Sequence, residues 1–323
     1  MSKAQAQALG LALAAFAIAF GLSVARIGHG APDFYVFWAA GRHAQAPYDP
    51  AVIAGLEATI RLKGIWPFAY PPTFLLLIYP FALLPLKLAY PLWTGLETAA
   101  FIFAAELGQT PLILGAAMIG GFLILERRPA LAGVLFALAA CIKPQAMLLA
   151  PLVLWGRWRV LAWAAGGGLA ICAASLVFGW RRWIEWGHAI AVFQQIAPLA
   201  DRSNPSAFLA QPWWIAAMAL LGLFLAWRRR DLLGLVSGTM CVTPYAHFYD
   251  LAPLTPLAAA WLFAPATYGW SRSAAGAALL GGLIATPAAT ALYFAGLALL
   301  ETPTPARIRA LFEHWRARPQ VLS

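Results

Sequence analysis

Residues 160–180 read VLAWAAGGGLAICAASLVFGW, twenty-one positions without a charge, bounded by Arg157-Trp158-Arg159 before and Arg181-Arg182 after. A helix needs about 20 apolar residues to cross the hydrocarbon of a bilayer. Backbone in lipid finds no water to bond, so such a run has to be helical. Outward from it the same pattern returns. Ala8–Ala25, Leu107–Leu125, Leu232–Tyr249, Leu251–Ser271 and Ala274–Leu300 are further uncharged apolar runs. The chain is 62% hydrophobic and only 11% charged, against about 25% charged in soluble globular domains. A water-soluble domain of 323 residues has no place to hide that much apolar surface.

The net charge of +10 does not point to nucleic acid. Most Arg and Lys residues sit in short clusters between apolar runs: Glu126-Arg127-Arg128, Arg157-Trp158-Arg159, Arg228-Arg229-Arg230 and Arg272. Each successive pair leaves room for two spans, so all four fall on one side, the cytoplasmic side by the positive-inside rule. Lys87 joins them if the second span runs from Tyr70-Pro71-Pro72 to Leu86. The expectation is an all-α polytopic transmembrane helix bundle of about ten or eleven spans. It forms a single domain over residues 1–300, with a basic tail over 301–323. Residues 26–69 form the first extracytoplasmic loop, with turn chemistry at Pro47–Pro50 and a short helix over Ala51–Lys63. Residues 180–212 form an extracytoplasmic interfacial segment, rich in Trp as headgroup-level helices are. Pro129–Ile142 and Pro144–Trp155 are short for full spans. The first apolar run is longer than a signal-peptide core and reads as a retained helix. Cys141, Cys172 and Cys241 lie in apolar runs without metal-ligand spacing and read as packing residues.

The unusual polar residues collect on the side opposite the basic clusters. Asp33 follows the first helix, flanked by Phe34 and Tyr35. Partial desolvation there makes a carboxylate a better base, and the same residue also suits the N-cap of a helix through Phe34–Ala44. Lys143 lies in Cys141-Ile142-Lys143-Pro144-Gln145 between two apolar runs. An ammonium at membrane depth is expensive and suits a phosphate as a point charge, although a helix-end Lys also snorkels. His247 and Asp250 stand three apart in Thr243–Asp250, a spacing that shares one helix face. Arg42 is an outer-side basic candidate, and Arg181, Arg182 and Glu185 fit an aromatic interfacial belt. No phosphate-binding loop and no Gly-x-Ser-x-Gly signature occurs. An enzyme facing outward lacks cytosolic nucleotides, so a transferred group should arrive on a lipid.

At these residues the sequence resembles glycosyltransferase family 87, membrane mannosyltransferases of the GT-C class that use polyprenyl-phosphate sugars. The resemblance rests on DFYVFWAAGRHAQAPYDP (Asp33–Pro50), FAYPPTFLLLIYPFALLP (Phe68–Pro85), KPQAMLLAPLVL (Lys143–Leu154) and TPYAHFYDL (Thr243–Leu251), in matching order along about three quarters of the chain. It implies Asp33 as general base, a structural turn at Tyr48-Asp49, and a donor-phosphate contact at Lys143 beside Gln145. It further implies that His247 lies near the donor phosphate or the acceptor. Asp250, Arg42 and Tyr70 complete the expected substrate-binding set.

The expected reaction is an inverting transfer of a hexose, mannose foremost, from polyprenyl phosphate to a hydroxyl of a lipid or glycan acceptor. The expected setting is a bacterial-type inner or plasma membrane, with the active site on the extracytoplasmic face. Partners are the polyprenyl-phosphate-linked donor, the acceptor and membrane lipids, not nucleic acid. No cofactor is expected; a divalent metal is compatible but not indicated. The competing class is a transporter or flippase of a lipid-linked or small polar substrate, whose marks are paired repeats and helices broken near the midplane.

Overall fold

A computed structural model describes residues 32–59, 67–98, 111–196, 211–243 and 248–254, together with 258, 272, 276 and 295–298. The expected first helix, His247 and the basic tail lie outside these residues. Among the described residues every regular element is helical. In chain order they are α1 (Pro32–Arg42), α2 (Pro50–Thr59), α3 (Pro72–Ala82), α4 (Leu86–Thr98), α5 (Pro111–Ile124) and α6 (Pro129–Ile142). A 3-10 turn over Pro144–Met147 and a single turn, α7 (Ala150–Val153), lead into α8 (Trp158–Ser175). Then come α9 (Arg181–Ile196), α10 (Pro212–Arg228), α11 (Leu232–Val242) and a 3-10 helix over Phe248–Leu254.

Proline sets most of these limits. Its missing N–H is harmless in the first helical turn, and α3, α6 and α10 all begin that way. The residue before a proline is pushed out of the α region, and that ends helices. Thr243, ahead of Pro244, is extended at φ −79° and ψ 131°, so α11 stops at Val242 instead of running on to Tyr249. Pro85 has the same effect on the second expected span. α3 ends at Ala82, and α4 leaves at 118° to it. In place of one straight helix to Leu86 there is a bent pair.

α6 and α8 run side by side in the same direction, with residues 144–155 carrying the chain back between them. Their contact needs Gly133, where a Cβ would sit 2.6 Å from the carbonyl oxygen of Val160. α10 and α11 are antiparallel and touch backbone to backbone. A Cβ on Gly222 would lie 2.5 Å from the carbonyl oxygen of Gly238, and one on Gly238 would lie 2.8 Å from that of Gly222. Small residues at the crossing let the two helix backbones approach this closely.

Two buried clusters result. One joins α5, α6, α7, α8, α10 and α11 around Phe136, Leu154 and Leu225. The other is aromatic and joins α1, α3 and α4 around Phe34, Phe74 and Trp93, with Ile142 and Phe178 packed into it. The helix over Trp158–Phe178 is long and apolar enough to cross a membrane, yet only 11% of its apolar 18-residue stretch is buried within the protein. Trp163, Leu169 and Val177 project outward from it. The core helix of a soluble domain would be covered on most sides. The bent α3–α4 pair makes a second candidate if counted as one span; the other apolar helices are shorter. α6, at 14 residues, measures about 21 Å, less than the roughly 30 Å of bilayer hydrocarbon, which agrees with its sequence length.

Three basic turns meet at one end of the bundle. Arg157 Nε donates to Glu126 Oε1 at 3.0 Å, and Arg230 Nη1 donates to the carbonyl oxygen of Trp155 at 3.0 Å. The turns that follow α5, α7 and α10 are thereby pinned together. α6 and α11 both start at this end and run away from it.

Candidate functional site

Where α6 arrives, Lys143 breaks the helix. Pro144 disfavours the α conformation at Lys143, which takes φ −141° and ψ 84°. Its N–H still donates to the Ala139 carbonyl at 3.0 Å. The side chain turns inward and is only 5% exposed. Its ammonium donates to Oδ1 of Asp250, 107 residues on. Asp250 belongs to the first turn of the 3-10 helix Phe248–Leu254, which is anchored by the fully buried Leu251 and Leu254. Asp250 is almost as enclosed as its partner, with a side chain 10% exposed. Removing one member of a buried pair leaves an uncompensated charge and costs about 3–5 kcal/mol.

A cavity of about 20 Å³ adjoins the pair, lined by Leu114, Gln145, Thr239, Thr243, Asp250 and Pro253 among others. That is room for about one water. Thr239 Oγ1 is buried with no hydrogen-bond partner among the described residues. The lining residues thus include an aspartate, a glutamine and two threonines among apolar ones. The sequence singles out Lys143, Gln145 and Asp250, and the structure brings all three to one place. It does not single out Thr239 or Thr243. The signal for them is the row of hydroxyls at 237, 239 and 243 in an otherwise apolar run, but small hydroxyl residues are ordinary in such helices.

The aromatic module reaches the same end of α6. Thr73, in the first turn of α3, donates its hydroxyl to the Cys141 carbonyl at 2.5 Å. Ile142, the residue before Lys143, packs in the aromatic cluster. α1 runs parallel to α3: the Phe37 ring meets Tyr70 at 4.9 Å and Phe74 at 5.0 Å, while a Cβ on Gly41 would meet Ala82. Asp33, one turn before Phe37, accordingly stands at the end of α1 that faces the Tyr70 end of α3. It is half-buried and lies inside the first helical turn, not at the cap expected from the sequence. Arg42 lies in the last turn of α1, about 14 Å along the helix from Asp33, exposed and stacked over Trp38. The structure does not bring it to the group.

Tyr70 is held by packing. Its ring lies 4.5 Å from Phe74, and its carbonyl accepts a hydrogen bond from the Tyr48 hydroxyl at 2.8 Å. Trp186 Nε1, from α9, donates to the neighbouring Ala69 carbonyl at 3.1 Å. Burial raises the Tyr48 hydroxyl above its ordinary pKa, the Glu185 carboxylate adds to this, and the Arg182 guanidinium opposes it. Arg182 and Glu185 are themselves paired. Asp49 Oδ1 accepts from the N–H groups of Ala51 at 2.9 Å and Val52 at 3.4 Å. It thus caps α2, a structural role for the Tyr48-Asp49 turn. The loop ahead of α3 is in this way fastened from both sides.

The family model of glycosyltransferase family 87 matches residues 102–246, a little less than half of the chain. The matched stretch runs from just before α5 through α11 and includes Lys143, Gln145, Thr239 and Thr243. The match supports a glycosyltransferase activity. No curated protein and no solved structure matches the chain.

Proposed function

We propose that this protein is a multi-pass membrane hexosyltransferase that moves a hexose, expected to be mannose, from a polyprenyl phosphate to an acceptor hydroxyl with inversion. The observation that carries the reading is the buried Lys143–Asp250–Gln145 group at the end of α6, to which the Thr73–Cys141 hydrogen bond fastens the module holding Asp33. Donor and acceptor chemistry need two kinds of group close together: a cation for the departing phosphate and a base for the incoming hydroxyl.

In this mechanism the Asp33 carboxylate accepts the acceptor's hydroxyl proton as its oxygen bonds to the anomeric carbon. The bond from that carbon to the phosphate oxygen breaks, and its electron pair leaves with the phosphate. The sugar passes through an oxocarbenium-like state, as in glycoside hydrolysis. Lys143 offsets the charge that develops on the phosphate. A phosphate leaves as a stable anion, so one carboxylate suffices. His247 fits beside the donor phosphate or acceptor on the family resemblance alone.

The outward-facing apolar surface supports a bilayer setting. Leu123, Leu169, Leu220 and Val177 are each more than two-thirds exposed, and apolar side chains this open suit lipid better than water. An inner or plasma membrane with the site on the extracytoplasmic face accommodates a lipid-borne donor. Radiolabelled sugar transfer from polyprenyl-phosphate donor in membranes, wild type against Asp33→Asn, tests the reading. General-base loss predicts a drop of about 10²–10⁴-fold with normal protein levels. Unchanged transfer by Asp33→Asn removes Asp33 from the mechanism. Movement of the donor lipid between leaflets without any transfer would favour the flippase class.

A further inference from the structure

A phosphate-binding lysine that already holds a carboxylate needs an explanation. Lys143 and Asp250 are paired with opposite charges, and both side chains are enclosed. A phosphate arriving there competes with the carboxylate for an ammonium whose charge Asp250 already offsets. The carboxylate has polar residues beside it: Gln145, Thr239 and Thr243 line the adjoining cavity, and Thr239 Oγ1 is buried without a hydrogen-bond partner among the described residues. Hydroxyl and amide N–H groups are donors suited to a carboxylate.

The chemistry of the reaction makes such an exchange useful. The donor is a phosphodiester with one ionisable oxygen. The product is a monoester whose second ionisation falls near pH 6, so it carries more negative charge and binds a lone ammonium more tightly than the donor does. An internal carboxylate that competes for the ammonium works against that product.

We infer that Asp250 is an internal counter-ion that yields Lys143 to the donor phosphate and reclaims it to expel the polyprenyl phosphate left after transfer. This rests on reading Lys143 as the phosphate contact. If the pair is closed for about nine-tenths of the time, its removal tightens phosphate binding about tenfold, since apparent affinity scales with the competent fraction.

The test uses the full-length protein in lipid nanodiscs and farnesyl phosphate as the sugar-free probe, with binding followed calorimetrically. Asp250→Asn is expected to bind about tenfold more tightly than wild type, and Lys143→Met at least about tenfold more weakly. Equal or weaker binding by Asp250→Asn, with binding still lost in Lys143→Met, overturns the counter-ion role and leaves the phosphate contact standing. Unchanged binding by Lys143→Met overturns the phosphate contact itself. Should Asp250→Asn fail to fold, wild-type protein carrying ¹³C-labelled aspartate carboxylates gives the answer by infrared difference spectroscopy. Farnesyl phosphate is expected to shift a labelled carboxylate band in wild type that is missing from Asp250→Glu. The lack of any such shift overturns the proposal.

Discussion

Thr73→Val is the most informative single change in the framework of the site. The hydroxyl of Thr73 is buried, at 4% exposure, and reaches the Cys141 carbonyl at 2.5 Å across 68 residues of sequence. That carbonyl is one of the last four of α6, which have no partner within the helix. Ala139 is served by the Lys143 N–H, and Cys141 is served by Thr73. Valine has nearly the same shape, so the change opens no cavity. It leaves a buried acceptor unmet, which costs about 1–3 kcal/mol. The expected result is a loss of that size in reversible unfolding of the detergent-solubilised protein, with Thr73→Ser losing clearly less because the hydroxyl remains. Because the bond joins the module of Asp33 to the end of α6, transfer activity should fall in Thr73→Val and largely persist in Thr73→Ser. Equal stability of Thr73→Val and wild type would refute the claim that this hydrogen bond fastens the two modules.

Two further predictions concern the Tyr48-Asp49 turn ahead of α2. Asp49→Ala removes the cap of α2 and should lower stability by about 0.5–2 kcal/mol in the same unfolding assay, whereas Asp49→Asn, which keeps a capping oxygen, should lower it less. Burial raises the Tyr48 pKa above the ordinary 10.0, so the unfolded chain loses this proton first as pH rises. The stability contributed is full below pH 10 and declines above it. Tyr48→Phe should therefore show a shallower alkaline loss of stability than wild type between pH 9 and about 11, and matching slopes would contradict the burial of this hydroxyl.

Much of the architecture is legible along the chain alone. Uncharged runs imply helices because lipid offers the backbone no other partner, and the clustering of Arg between them implies that the turns gather. The three described basic turns do lie together. Lys143, Gln145 and Asp250 stand out because ionisable and amide groups are costly in apolar surroundings. The turn at Pro47–Pro50 is readable from its prolines and aspartate, and the structural role that the family resemblance implies for Asp49 agrees with its capping of α2.

Other features depend on contacts between distant residues. Prolines at 85 and 244 mark breaks, but the 118° bend of α4 against α3 follows from Trp93 packing among Phe34, Phe74 and Phe81. A helix over Phe34–Ala44 already separates Asp33 from Arg42 in the sequence, but only the packing of α1 along α3 shows that the Asp33 end is the one beside Tyr70. Read alone, the chain shows apolar runs suited to helices with a lysine and an aspartate out of place in them, since burying each charge is unfavourable wherever the chain goes. That these two meet across 107 residues follows from the packing of the helices. A charge's need for a partner is local and shows in composition, but which partner meets it is settled by how the helices pack.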